Sequence, residues 1–342
     1  MRSRTFYAFV APSMALMILF IALPLISVAV QSFQLTQQVF EQVKTETCTP
    51  GFLTQSCVEE VKNLPKLDVN GRPIVETKFV GFDVYKTVLQ PDAVMRAFSE
   101  GGGGWAAVLN IDFYKALRFT LTFTLITLPL VIGTGLALAL AVNNTLRSVR
   151  GPLIFISLLP FIITPVIGAL AIRWLFVGDG IMTAAIAKLS GEHVAVFAHG
   201  WMIELLMMFY RVWHVAPFAF VIFYAGLQTV DRDTLESAVV DGASRFERLR
   251  YVIVPHLMPL IVFVSLIHLM DAYRAFDEVI GFSSQAHRIS LQWLTYNYLI
   301  PDNSGNRSIS RASASSMLTM LGIVILLLPL LRRTWREHRS KR

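Results

Sequence analysis

Six apolar runs dominate this chain, at about 9–32, 115–142, 152–177, 203–228, 254–280 and 312–331. Each is written in Leu, Ile, Val, Phe, Ala and Met with scattered Gly and Pro, and each reaches the roughly 20 residues a helix needs to cross a bilayer. They are too long, and alternate too little, to be strands of a membrane barrel. Composition agrees, with 54% hydrophobic and 15% charged residues, against roughly 25% charged in soluble domains. The expected fold is an all-α polytopic membrane protein with six transmembrane helices. The first run follows MRSR and offers a small-x-small pair at Ser27 and Ala29, but about 25 apolar residues exceed a signal peptide's core, so it reads as a span.

The net charge of +7 is organised by these spans. Six basic residues, Arg332, Arg333, Arg336, Arg339, Lys341 and Arg342, fall in the last eleven, directly after an apolar run. With the positive-inside bias, Arg2, Arg4, Arg147, Arg150, Arg232, Arg245, Arg248 and Arg250 join that tail in the cytoplasm, and 178–202 outside carries only Lys188. Arg288, Arg307 and Arg311 in 281–311 run against the pattern, yet both termini cytoplasmic fits best. The lipid bilayer is the partner this charge implies. Nucleic acid is excluded, because no basic, aromatic-interleaved domain is present.

The expected organisation is 1–33, cytoplasmic N-terminus and span one; 34–112, a periplasmic insert; 113–228, spans two to four; 229–253, a cytoplasmic loop; 254–331, spans five and six; and 332–342, the basic tail. The insert contains Gly101–Gly104 and the alternating VETKFVGFDVY, 75–85, which reads as a strand with a following turn. A small, partly β, exported subdomain is expected between spans one and two, against the alternative of a loosely ordered loop. The two cysteines, Cys48 and Cys57, both lie in it. Exported, they read as a disulfide closing a short loop; in the cytoplasm they would be two thiols. No metal site is expected, since His256, His268 and His287 lack ligand spacing.

The loop 236–259, ESAVVDGASRFERLRYVIVPHLMP, is too charged for lipid and too patterned for a linker. Asp233 with Glu236, and Ser244 with Glu247, each have the spacing of a capping box, and Gly242 lies between them. A helix over about 234–241, a sharp turn, and a second helix from about 245 running into span five past Pro255 and Pro259 are predicted. Leu235, Ala238, Val239, Ala243 and Phe246 are available for docking, beside Glu236, Asp241, Arg245 and Arg248. The result is either an amphipathic connector on lipid headgroups or a rigid peg for a partner protein.

The same stretch resembles the "EAA" loop of permease subunits of binding-protein-dependent ABC importers, whose pattern is Glu-Ala-Ala-x-x-Asp-Gly-Ala, then Phe, then a hydrophobic-x-Pro and a later Pro. Glu236, Ser237, Ala238, Asp241, Gly242, Ala243, Phe246, Ile253, Pro255 and Pro259 match it, with Ser237 for Ala and Val254 for Leu as departures. The closest branch resembles carbohydrate-uptake permeases of the MalF type, through AYRAFDEVIGF, 272–282, with its Phe276–Asp277 pair. The resemblance implies the type I ABC-importer permease fold, alternating access, and a bacterial inner-membrane location. It implies coupling to cytoplasmic ATPase subunits through Glu236, Ala238, Asp241, Gly242, Ala243, Phe246 and Pro255. The implied partners are two ATPase subunits, a second, different permease and a periplasmic solute-binding protein.

No G-x-x-x-x-G-K-[ST] loop occurs in the chain. A transport subunit that is not an enzyme is therefore expected, with no cofactor of its own and with ATP and Mg held by the partner ATPase. The resemblance implies a sugar or sugar-like solute; 281–299 departs from the branch in lacking its Gly-Gly-Pro, which opens the expectation to an unusual saccharide, a sugar alcohol or a charged glycoside. A polyamine or amino acid is the alternative. An ion-coupled secondary transporter would need inverted repeats, which spans one to three and four to six do not show. Ionisable and aromatic groups in spans mark pathways; Tyr210, Trp213, Asp271 and Tyr273 supply the stacking and hydrogen-bonding types a sugar needs. Asp271 and Arg274 have the spacing to pair on one face, and Pro160 and Pro165 would kink span three, Thr164 helping to satisfy the freed backbone.

Overall fold

The computed structural model describes residues 3–50, 55–69, 71, 74–99, 103–178, 180–191, 195–302 and 307–340. The chain forms two compact units: residues 1–108 with 294–320, and residues 109–293 with 321–342.

In the first unit, α1 (Ser3–Met17), a π turn (Ile18–Ala22) and α2 (Leu23–Gln31) make one apolar helix. The wider turn falls just before Pro24, which has no N–H to give to the ladder. None of the most apolar part of this helix is buried within the chain, as suits a surface facing lipid. Four strands follow: β1 (Gln34–Gln38), β2 (Phe40–Pro50), β3 (Gln55–Pro65) and β4 (Val75–Phe79). β1 pairs antiparallel with β4, and β2 with β3. The β2–β3 register sets Cys48 opposite Cys57; their side chains lie outside the described residues. Three short helices complete the insert, α3 (Asp83–Leu89), α4 (Pro91–Ser99) and α5 (Trp105–Val108).

The insert is partly β as expected, but the strand predicted over 75–85 stops at Phe79. Gly81 takes φ +60°, which breaks the alternation and lets α3 start at Asp83. Tyr85 then lies on a helix, hydrogen-bonded to Ser32 at 2.8 Å and packed with Phe33. Gly101 and Gly102 lie outside the described residues, and Gly103 and Gly104 both have positive φ.

The second unit holds α6 (Asp112–Asn143), α7 (Arg147–Ile162), α8 (Pro165–Phe176), α9 (Ile181–Ser190), α10 (Gly200–Leu227), α11 (Arg232–Val240), α12 (Arg245–Arg248), α13 (Val254–Tyr273) and α14 (Asp277–Gly281). α15 (Leu291–Asn297) and the last apolar helix α16 (Ile309–Ser340) follow in the chain, with residues 294–320 counted in the first unit. The tail's side chains after Arg332 lie outside the described residues.

α10 is the hub of the second unit: 61% of its apolar stretch is buried, against 28% for α6 and 33% for the α12–α13 helix. In lipid, apolar side chains gain nothing by leaving the solvent, so helices associate by close packing across small residues. Gly135 on α6 meets Ala216 and Ala219 of α10; a Cβ there would lie 2.6 Å from that of Ala219 and 3.0 Å from the Phe220 backbone nitrogen. Gly226 on α10 receives Leu257 and Leu260 of α13 in the same way.

Two spans differ from expectation. Span three is broken rather than kinked: α7 and α8 meet at 92°. Ile163 and Thr164 are extended (ψ 133° and 129°), the conformation that the ring of Pro165 imposes on what precedes it. Span five ends at Tyr273, not 280; residues 274–276 leave the helix, and α14 restarts with Asp277.

Candidate functional site

Two features of the second unit carry chemistry: the hairpin between α10 and α13, and a polar cavity beside α10.

The hairpin's geometry follows from its end signals. Asp231, not Asp233, caps α11: it accepts hydrogen bonds from Asp233 N (3.2 Å) and Thr234 Oγ1 (2.8 Å). The predicted Asp233–Glu236 box does not form, because Asp233 already lies in the first turn and Asp231 offers a carboxylate to two donors at once. Those bonds, Thr234 first, hold the Asp231 carboxyl below its ordinary range. α11 ends in a Schellman turn: Gly242 N donates to Val239 O (3.0 Å) and Ala243 N to Ala238 O (2.9 Å). Gly242 has φ +78°, the left-handed region that a Cβ disfavours.

The second predicted box is complete, with Glu247 N on Ser244 Oγ (3.2 Å) and Ser244 N on Glu247 Oε2 (2.7 Å). α12 then passes through a π turn (Leu249–Ile253) into α13 without leaving helical dihedrals, and the wider turn falls just before Pro255, which has no N–H to give to the ladder.

Leu235, Ala238 and Ala243 are half-buried, and Glu236, Asp241, Gly242 and Pro255 are exposed. Phe246 (67% exposed), Val240 (87%) and Tyr251 (70%) present large apolar surface to solvent. Of these, Val240 and Tyr251 were not singled out from sequence, since neither belongs to the motif.

The cavity, of about 320 Å³, is lined by Phe161 and Pro165 at the break of span three, by α10 and α13, and by Asp277 of α14. Its α10 wall is Arg211, His214, Val215 and Phe218, and its α13 wall is Val264, Ile267, His268 and Asp271. Both sets follow the i, i+3, i+4, i+7 rule of a single helix face. Arg211 is 5% exposed and is the centre of the site. Its Nη1 donates to Glu278 Oε1 at 2.7 Å, and its Nη2 pairs with Asp271 Oδ2. Asp271 thus pairs across helices; the predicted partner Arg274 instead donates Nε to Met270 O. The break after Tyr273 is what brings Glu278 to Arg211.

α10 also fastens the break of span three. Tyr210 Oη donates to Pro165 O (2.7 Å), and His214 Nε2 donates to Ile163 O (2.9 Å). Thr164, expected to help satisfy this backbone, makes no side-chain cap bond. Tyr210 is buried against Gly168 and Phe282, and Tyr273 against Gly322. Trp213 is 38% exposed and is not part of the cavity wall. Of the four candidates read from sequence, only Asp271 lines the cavity; Tyr210 and Tyr273 pack helices together. Arg211 and His214 of α10 and His268 of α13 were not chosen from sequence, although Arg211 with His214, and His268 with Asp271, each have the spacing of one helix face.

The family described as "Binding-protein-dependent transport system inner membrane component" matches residues 101–338. The trehalose/maltose transport system permease protein MalF of Thermococcus litoralis is 28% identical over 219 residues, covering 61% of this chain and 70% of that protein. The sn-glycerol-3-phosphate transport system permease protein UgpA of Rhizobium meliloti is 25% identical over 251 residues, covering 70% and 83%. Among solved structures, a bacterial ABC transporter involved in the import of the acidic polysaccharide alginate has the same fold, with a TM-score of 0.68, 16% identity and coverage of 98% and 96%. Matched over more than half its length, the chain belongs to the inner-membrane components of binding-protein-dependent transport systems, the permeases of ABC importers.

Proposed function

We propose that this permease conducts a sugar or sugar-like solute, delivered by a periplasmic binding protein, with the 231–253 hairpin as the docking peg that receives ATP-driven motion. The observation that carries the reading is the hairpin itself. A Schellman turn and a complete capping box fix its shape, while Phe246, Val240 and Tyr251 stay exposed. Apolar side chains held out rigidly among charges are what a protein partner covers. In this reading Glu236, Asp241 and Phe246 enter a groove on a cytoplasmic ATPase subunit, Ala238 and Ala243 allow close approach, and Gly242 and Pro255 set the angles of entry and exit.

The assembly has two such ATPase subunits, which hold ATP and Mg, and a second, different permease; this chain has no ATP site of its own. Both termini face the cytoplasm, and the 34–112 insert, with Cys48 and Cys57 bridged, is exported. The cavity around Arg211 is the solute's contact on this chain, alternately exposed to either side. Similarity to sugar permeases supports the solute class. Purification of the full chain from its own host tests the assembly. An ATPase and a second permease are expected to accompany it, and a lone chain that transports actively overturns the reading.

A further inference from the structure

The walls of the cavity differ from a neutral sugar site in one respect: carboxylates outnumber guanidinium groups, with Asp271 and Asp277 against Arg211. Arg211 is the one guanidinium in its lining, and each of its terminal nitrogens gives one N–H, to Glu278 and to Asp271. Asp277 adds a third carboxylate to the same site. His268, 2% exposed, also lines the cavity. Its Nε2 meets Thr127 Oγ1 at 3.0 Å, and Thr127 gives its one hydrogen to Phe123 O at 2.7 Å. The histidine must therefore be the donor in that pair, which leaves Nδ1 of the neutral ring as an acceptor. That Nδ1 is buried and has no partner, as is Glu278 Oε2; Arg211 Nε is a buried donor without a partner. His214 likewise donates Nε2 to Ile163 O. Three carboxylates, Asp271, Asp277 and Glu278, thus stand around one guanidinium, a formal excess of acidic groups.

Buried polar groups without partners are costly, and a ligand that supplies the missing partners is selected over one that does not. We propose that the cavity selects a sugar unit bearing an ammonium group, an amino sugar, with the cation between Asp271 and Asp277 and with His268 Nδ1 accepting from a neighbouring hydroxyl. A carboxylated sugar meets two carboxylates of its own sign and an arginine whose charge is already paired with Asp271 and Glu278. The volume is at the small end of ligand pockets, roughly 300–1,000 Å³, and suits one ring. The inference rests on the cavity being the solute's contact, as proposed above.

The test is thermal unfolding of the full importer in detergent with hexoses in the gluco, galacto and manno configurations, each as amino sugar, neutral sugar and uronate. At least one amino form is expected to raise the unfolding temperature, with an affinity at least tenfold above its uronate and above its neutral parent. Asp277→Asn is expected to reduce that preference severalfold, while His268→Gln weakens amino and neutral forms alike. A uronate that binds best, a neutral form equal to its amino form, or no shift with any sugar each overturns the proposal. ATPase coupling through the hairpin reads out separately, so the importer function can stand when this selectivity falls.

Discussion

Gly242 isolates the contribution of backbone geometry to coupling. Its φ is +78°, and no atom lies within 4 Å of where a Cβ would stand. A side chain there meets no clash, so the effect of substitution is conformational. An L-residue in the left-handed region costs about 1–2 kcal/mol relative to glycine; Asn tolerates it better than Ala, and a β-branched residue is worst. At about 1 kcal/mol, Gly242→Ala reduces the ratio of intact to opened turns by roughly fivefold. Gly242→Asn should lose less and Gly242→Val more. Gly242→Arg adds bulk at the docking surface and is expected to abolish uptake.

The assay is solute uptake and ATP hydrolysis by the full importer in proteoliposomes. Uptake per ATP should fall in the order Gly, Asn, Ala, Val, with membrane insertion unchanged. Wild-type coupling by Gly242→Val refutes the role assigned to the turn. Equal damage from Asn and Val shows that clearance, not φ, is what the position supplies.

Four further outcomes are expected. Glu278→Gln weakens the partner of a buried guanidinium, and Arg211→Met strands two carboxylates; breaking a buried pair costs about 3–5 kcal/mol, so both lower the unfolding temperature in detergent, and Arg211→Met/Glu278→Leu recovers part of the loss. Gly135→Val drives a side chain into Ala219 and the α10 backbone, with a cost of about 1–3 kcal/mol from overpacking, read as reduced yield and unfolding temperature. The Asp231 cap has a depressed carboxyl pKa, so its stabilisation is complete above the ordinary value of 3.8 and lost as pH falls below it; amide exchange in α11 should accelerate there, and Asp231→Asn should flatten the dependence. Cys48 and Cys57, opposite in the β2–β3 register, should resist thiol labelling in the mature protein until a reductant is added; labelling without reductant refutes the bridge.

Hydropathy made the spans legible because each helix satisfies its own backbone and meets lipid on much of its surface, a local property. The second capping box and Gly242 were legible for the same reason: their partners are three or four residues away. The first cap was misplaced because Asp231 and Asp233 both stand at the helix start, one as the cap and one in the first turn, and the bond from Thr234 Oγ1 goes to Asp231. The cavity was mostly hidden. Arg211 finds Asp271 and Glu278 at separations of 60 and 67 residues, and the breaks at Ile163–Thr164 and 274–276 that bring these groups together have no periodic signal. Tyr210 and Tyr273 carry the chemistry a sugar needs, but glycines at 168 and 322 draw them into helix packing.

The π turn between hairpin and span has a mechanical corollary. From Arg245 to Tyr273 the chain is one helix of 29 residues without a non-helical joint, about 40 Å long at 1.5 Å per residue. Phe246 stands at one end and Asp271 at the other. A displacement imposed at the first travels along one continuous helix to the second, so in the proposed reading the carboxylate at the cavity moves with the side chain at the ATPase.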